Sequence, residues 1–127
     1  MGIATLGIKD VTTDTFSTES ERRGETIVIW LRGNADMAVH EHLKGFLEAL
    51  AASTKRHPVK EIVFELQELY FMNSSCLSLL LRMINGVMET QDTHKCTVRF
   101  RSNPNLRWQK KSLQALHSYA EDIVVVE

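Results

Sequence analysis

Hydrophobic and polar positions follow two periods along the chain. Ile27-Val28-Ile29-Trp30-Leu31 is a continuous apolar run rich in β-branched residues, which predicts a strand buried on both faces. Arg32-Gly33-Asn34-Ala35-Asp36 has turn chemistry and is expected to end that strand. Over about residues 37–55, Val39, Leu43, Phe46, Leu47 and Leu50 recur at helical spacing and form one apolar face. Glu61-Ile62-Val63-Phe64-Glu65-Leu66 predicts the next strand, running on toward Tyr70. Asn73-Ser74-Ser75 is a cap cluster that opens a helix over about residues 76–91. Leu77, Leu80, Leu81, Ile84, Val87 and Met88 are expected to line its core face. Cys96, Val98 and Phe100 alternate with Thr97, Arg99 and Arg101, as in a strand with one polar face. A helix over about residues 105–119 and a closing strand at Ile123-Val124-Val125-Val126 complete the pattern. Residues 10–25 are polar and predict a first strand or hairpin with a loop before Gly24.

The order is therefore β, β, α, β, α, β, α, β, which belongs to the α/β class. It predicts a mixed, mostly parallel sheet of four to five strands, packed with about three helices. No repeat or low-complexity tract divides the 127 residues, so one domain over 1–127 is expected, with its core over 26–127. Residues 33–36 and 72–76 are turns where strand ends meet helix starts, the usual functional edge of such a sheet.

Composition narrows the function classes. Fifteen Lys and Arg against sixteen Asp and Glu give a net charge of −1, which argues against direct nucleic-acid binding. Two cysteines, Cys76 and Cys96, are too few for a disulfide framework and suit a reducing compartment. Residues 1–5 lack a basic start followed by an apolar run, and no apolar run approaches the ~20 residues of a membrane span. A cytoplasmic protein without membrane insertion is the expectation.

The turn Phe71-Met72-Asn73-Ser74-Ser75-Cys76-Leu77 carries the most specific signal. It resembles the STAS domain family of anti-sigma factor antagonists, in which a strand, a Phe-Met/Ile-Asp-Ser-Ser-Gly-Leu turn and a Leu-rich helix follow one another. Val28-Ile29-Trp30-Leu31-Arg32-Gly33-Asn34-Ala35-Asp36 is similar to the family's Leu-x-Gly-x-Leu-Asp segment, and the order of elements agrees over about residues 26–127. The resemblance implies a single STAS-like α/β domain acting as a non-enzymatic regulatory module in a bacterial partner-switching pathway. By the resemblance, a serine kinase that doubles as an anti-sigma factor modifies the first serine of the turn, which maps onto Ser74, with Ser75 as the alternative. A metal-dependent serine phosphatase resets it. No cofactor is implied, and a homodimer is compatible with it. Asn73 stands where the family has an acidic residue, and Cys76 where it has glycine. A branch with Asn-Thr-Ser-Ser at the turn, which regulates diguanylate cyclases, resembles the chain there, and Arg99-Phe100 matches its Arg-aromatic pair. That branch's Ser-Tyr-Pro-Glu-type turn after Gly33 is absent.

The residues themselves support a switch or a plain cap. A serine at a helix amino terminus faces unpaired backbone N–H groups and the positive end of the helix dipole, which accommodate a phosphate. The same Asn-Ser-Ser run is also a sound helix cap with no regulatory role. Partner contacts are expected from Asp36, Asn73, Ser75 and a helix flank of Cys76, Leu79 and Met83, which the helical period separates from the expected core face. That flank reads equally as wider burial of the helix. By the resemblance, the alternative functions are a constitutive scaffold or transporter-complex subunit, for which Cys76 in place of glycine fits a retired switch, or a phospho-regulated activator of a diguanylate cyclase.

Other constellations carry less. His40-Glu41-His42 lacks the spacing of helical metal ligands, and the two cysteines form no CxxC pair, so no metal site is expected. No catalytic motif and no phosphate-binding Gly-rich loop occurs, and no catalytic residue is assigned. Arg99, Arg101, Arg107, Lys110 and Lys111, with Phe100 and Trp108 among them, are best read as a solvated strand face and helix surface.

Overall fold

The computed structural model describes residues 8–89 and 95–127. Residues 1–7, His94 and the expected helix end at Gln91 lie outside them. The elements run β1 (Phe16–Arg23), β2 (Thr26–Ala35), α1 (His40–Arg56), β3 (Glu61–Glu65), β4 (Leu69–Met72), α2 (Ser74–Met88), β5 (Thr97–Arg101), α3 (Arg107–Tyr119) and β6 (Val124–Val126). Among the described residues the mixed sheet has six strands in place of the expected four to five, in the order β1-β2-β3-β5-β6 with β4 paired to β2. Among the described strands only the β1–β2 pair is antiparallel, joined by a tight turn in which Gly24 takes φ 61°. The remaining pairs are parallel, as βαβ connections require.

Two departures from the expected strands have one origin. β2 does not end at residue 32 but continues through Ala35. The segment expected to run from Glu61 toward Tyr70 divides into β3 and β4. Thr26–Trp30 of β2 pairs with β3, and the far end of β2 pairs with β4 after a register shift at Gly33/Asn34. Between them the chain steps aside in a turn closed by the Leu69 N–H donating to Leu66 O at 3.1 Å. Gly33 makes the shift feasible. Its φ is 99°, and a Cβ there would lie 2.1 Å from Thr15 O.

Ile27, Ile29, Leu31, Ile62, Phe64, Val98, Phe100 and Val124 are fully buried on one sheet face and form one core with the apolar sides of the three helices. Phe64 and Phe100 stack with centroids 5.2 Å apart. The expected α1 face of Val39, Leu43, Phe46, Leu47 and Leu50 is buried throughout. The expected α2 face is corrected. Cys76, Leu79, Leu80, Met83, Ile84 and Val87 are buried, Leu77 and Leu81 are half-buried, and Met88 is exposed. The helix is covered on a second side by α1, against which Gly86 packs so closely that a Cβ would stand 3.1 Å from Ala51 Cβ. Helix period alone cannot reveal a second packing partner.

The opposite sheet face alternates as strand geometry dictates. Its surface is a cross-strand ladder of ion pairs. Arg99 bonds Glu61 and Glu127, Arg101 approaches Glu65 and Glu127, and Arg32 bonds Glu19 and Glu68. Arg23 and Arg32 lie 5.6 and 5.9 Å from the Trp30 ring centroid. The arginines expected to be solvated on β5 are thus neutralised within the protein. Among the described residues no helix is long and apolar enough to cross a membrane.

Two measurements check this packing. Gly33→Ala is expected to cost about 2 kcal/mol or more in urea unfolding, because it adds backbone strain to a steric clash. Burial pushes the Cys96 thiol from 9.0 up to about 11. The unfolded chain therefore releases that proton first, and stability falls as pH rises from about 9 to about 11, by up to about 2 kcal/mol. Unfolding across that pH range should show a shallower decline in Cys96→Ala than in the native sequence.

Candidate functional site

β2 and β4 end side by side. Ala35 is in register with Met72, and the Asn73 N–H donates to Ala35 O at 3.0 Å. The chain leaves β2 into the Asp36 turn and leaves β4 into α2, so Asp36 and the serine cluster share one sheet edge. Asp36 builds its own turn. Its Oδ1 accepts from the Ala38 N–H at 3.0 Å and its carbonyl from Val39 N–H at 3.1 Å. That turn delays α1 from the expected residue 37 to His40.

Asn73 is the N-cap of α2, with Oδ1 accepting from the Cys76 N–H at 2.8 Å. Ser74 and Ser75 occupy the first two helical positions and are exposed. Among the described residues neither hydroxyl has a hydrogen-bond partner, and the first turn of α2 carries no acidic side chain. The cap is thus supplied by Asn73, which leaves Ser74 and Ser75 chemically unoccupied at the positive end of the helix. The Ser74 carbonyl accepts from Ser78 Oγ at 3.0 Å, which braces the turn behind the hydroxyls.

Cys76 is buried, and its thiol donates to the Asp36 carbonyl at 3.6 Å. Burial, and then the charge of Asp36, hold that thiol above its ordinary range. A side chain in the position of the family's glycine therefore fills core space and ties the serine turn to the Asp36 turn. The expected docking flank of Cys76, Leu79 and Met83 is corrected here. All three are buried, and α1 closes over the flank, with Leu47 and Ala51 beside Leu79 and Met83. Exposed apolar side chains stand elsewhere at this edge. Met37 follows Asp36 and is 64% exposed, and Tyr70 and Phe71 on β4 are 56% and 47% exposed. The sequence pattern puts Tyr70 at the end of a strand, Phe71 in the turn and Met37 in a helix, and does not show that all three are uncovered. The β2–β4 pairing brings the strand ends that carry Met37 and Phe71 side by side, which local sequence does not disclose.

The fold has known counterparts. An anti-sigma factor antagonist from Mycobacterium paratuberculosis superposes with a TM-score of 0.63 at 18% identity, over 90% of this chain and 88% of that one. The anti-sigma factor antagonist SpoIIAA in its unphosphorylated form superposes with a TM-score of 0.57 at 22% identity, over 87% of each chain. The phosphorylated form of SpoIIAA, a Bacillus cell fate determinant, also gives 0.57, at 21% identity over 87% of this chain and 90% of that one. No protein-family model matches the sequence, and no curated protein matches it. The architecture is that of the anti-sigma factor antagonists, the STAS fold. The described residues form a single α/β domain with six strands and three helices.

The cap can be tested by itself. Asn73→Ala should cost about 1 kcal/mol in denaturant unfolding, whereas Asn73→Asp should retain most of that stability.

Proposed function

We propose that this protein is a non-enzymatic partner-switching regulator of the anti-sigma factor antagonist type, controlled by reversible phosphorylation of Ser74. The observation that carries the reading is an exposed Ser74 hydroxyl without a hydrogen-bond partner among the described residues, at the amino terminus of α2, whose first turn has no acidic side chain. It is supported by a fold shared with a protein solved in both unphosphorylated and phosphorylated forms. Ser75 is the second acceptor at the same edge. A phosphate on Ser74 would gain the first-turn N–H groups and roughly −1.5 to −2 charge, so the helix tolerates it while the surface changes.

The partner is a serine kinase that acts as an anti-sigma factor, and a metal-dependent serine phosphatase reverses the modification. Partner contact uses Asp36, Asn73, Ser75 and the uncovered side chains Met37, Tyr70 and Phe71. Asp36 places a negative charge beside the turn, so a new dianion would add to it and repel an apolar or acidic partner surface. A loss of ~3–4 kcal/mol in binding exceeds a hundredfold change in affinity, enough to exchange partners. Asn73 in place of a carboxylate removes one source of repulsion within the turn and favours acceptance of the phosphate.

The test is capture from the source cells with the native chain, Ser74→Ala and Ser74→Asp as baits. The expected partner is an ATP-binding protein retained by the native chain and Ser74→Ala, weakened more than a hundredfold by Ser74→Asp, and able to transfer phosphate from ATP to Ser74. Capture of transporter subunits equally by all three baits would favour a constitutive scaffold.

A further inference from the structure

Gln109 lies in the first turn of α3 with its side chain fully buried. Its Nε2 donates to Leu66 O at 2.7 Å and to Leu69 O at 3.0 Å, and its Oε1 accepts from the Asn103 N–H at 2.7 Å. One carboxamide thus joins three segments, namely α3, the loop before it and the turn that separates β3 from β4. Asn103 adds a bond from Nδ2 to Gln67 O at 2.9 Å in that same turn. Leu69 is the first residue of β4, the strand that ends at the serine turn. β4 pairs with β2 along one edge only, so at its root the other side is fixed by Gln109. A buried carbonyl or N–H without a partner is costly, and a fully satisfied buried polar side chain therefore specifies one arrangement of the segments that it joins.

We infer that Gln109 is the positioning residue of the serine turn, holding β4 at its root so that its far end presents Ser74 beside Asp36. The functional weight of this role rests on the reading of Ser74 as the switch, but the geometry it asserts does not. Sequence periodicity gave no hint of it, because a glutamine in an amphipathic helix reads as a surface residue.

The protein carries two internal reporters. Cys76 stands at the serine turn, bonded through its N–H to Asn73 and through its thiol to Asp36 O. Cys96 is buried just before β5. A maleimide at fixed pH labels each thiol only as its surroundings open. Gln109→Met, similar in length but without hydrogen bonds, is expected to raise the Cys76 rate about tenfold relative to Cys96. Leu116→Ala, a core truncation in the same helix, is expected to raise both rates in step. Gln109→Asn, one methylene shorter, serves in the same way if the methionine variant does not fold. A Cys76-to-Cys96 ratio in the folded Gln109 variant equal to that of the native chain or of Leu116→Ala would overturn the assignment. Because labelling does not involve phosphate, an unmodified Ser74 in cells would remove the switch and leave the positioning role standing.

Discussion

Strand β2 is longer than any strand that it pairs with in parallel, and the molecule depends on how its ten residues are shared. The first half is matched to β3 and the last three residues to β4, with the change of register at Gly33. Only a residue free of Cβ can hold φ 99° there with Thr15 O in contact. Without that shift β4 would not lie beside the end of β2, and Asp36 and Ser74 would leave the sheet at different places. The edge that holds Asp36 and Ser74 is therefore a consequence of backbone geometry near the end of β2.

The chemistry at that edge follows from a division of labour. Asn73 satisfies the helix end, Cys76 packs beneath it, and Asp36 uses its carboxylate and carbonyl to shape the neighbouring turn. Each of these residues is engaged, and the two serines are not. A hydroxyl that contributes nothing to the fold can be modified at little cost to it. Near the same turn in the chain, Met37 after β2 and Tyr70 and Phe71 on β4 are apolar and exposed. The opposite sheet face contrasts with this edge, because its arginines and glutamates are paired with one another.

Much of the fold was legible in the residues because each element buries a periodic face. The α1 stripe from Val39 to Leu50 and the alternation of Val98 and Phe100 with Thr97, Arg99 and Arg101 are local signals, and they appear in the structure as read. What failed was non-local. The break after Leu66 falls at Gln67-Glu68, within a stretch that reads as one strand, and the turn is stabilised from α3 by Gln109, some forty residues away. Leu79 and Met83 looked like a spare flank because the second helix that covers them is invisible in the sequence of α2 itself. The serine turn was recognised by its motif, but which of its neighbours remain exposed was settled by tertiary packing.

The most direct measurement is phosphopeptide mass spectrometry of the native protein from its own cells, in growth and under stress, on the peptide containing residues 71–82. Ser74 should carry phosphate in a fraction that changes with condition. A peptide that is never modified at Ser74 or Ser75 in any condition would contradict the switch and leave the serines as unoccupied residues behind an asparagine cap.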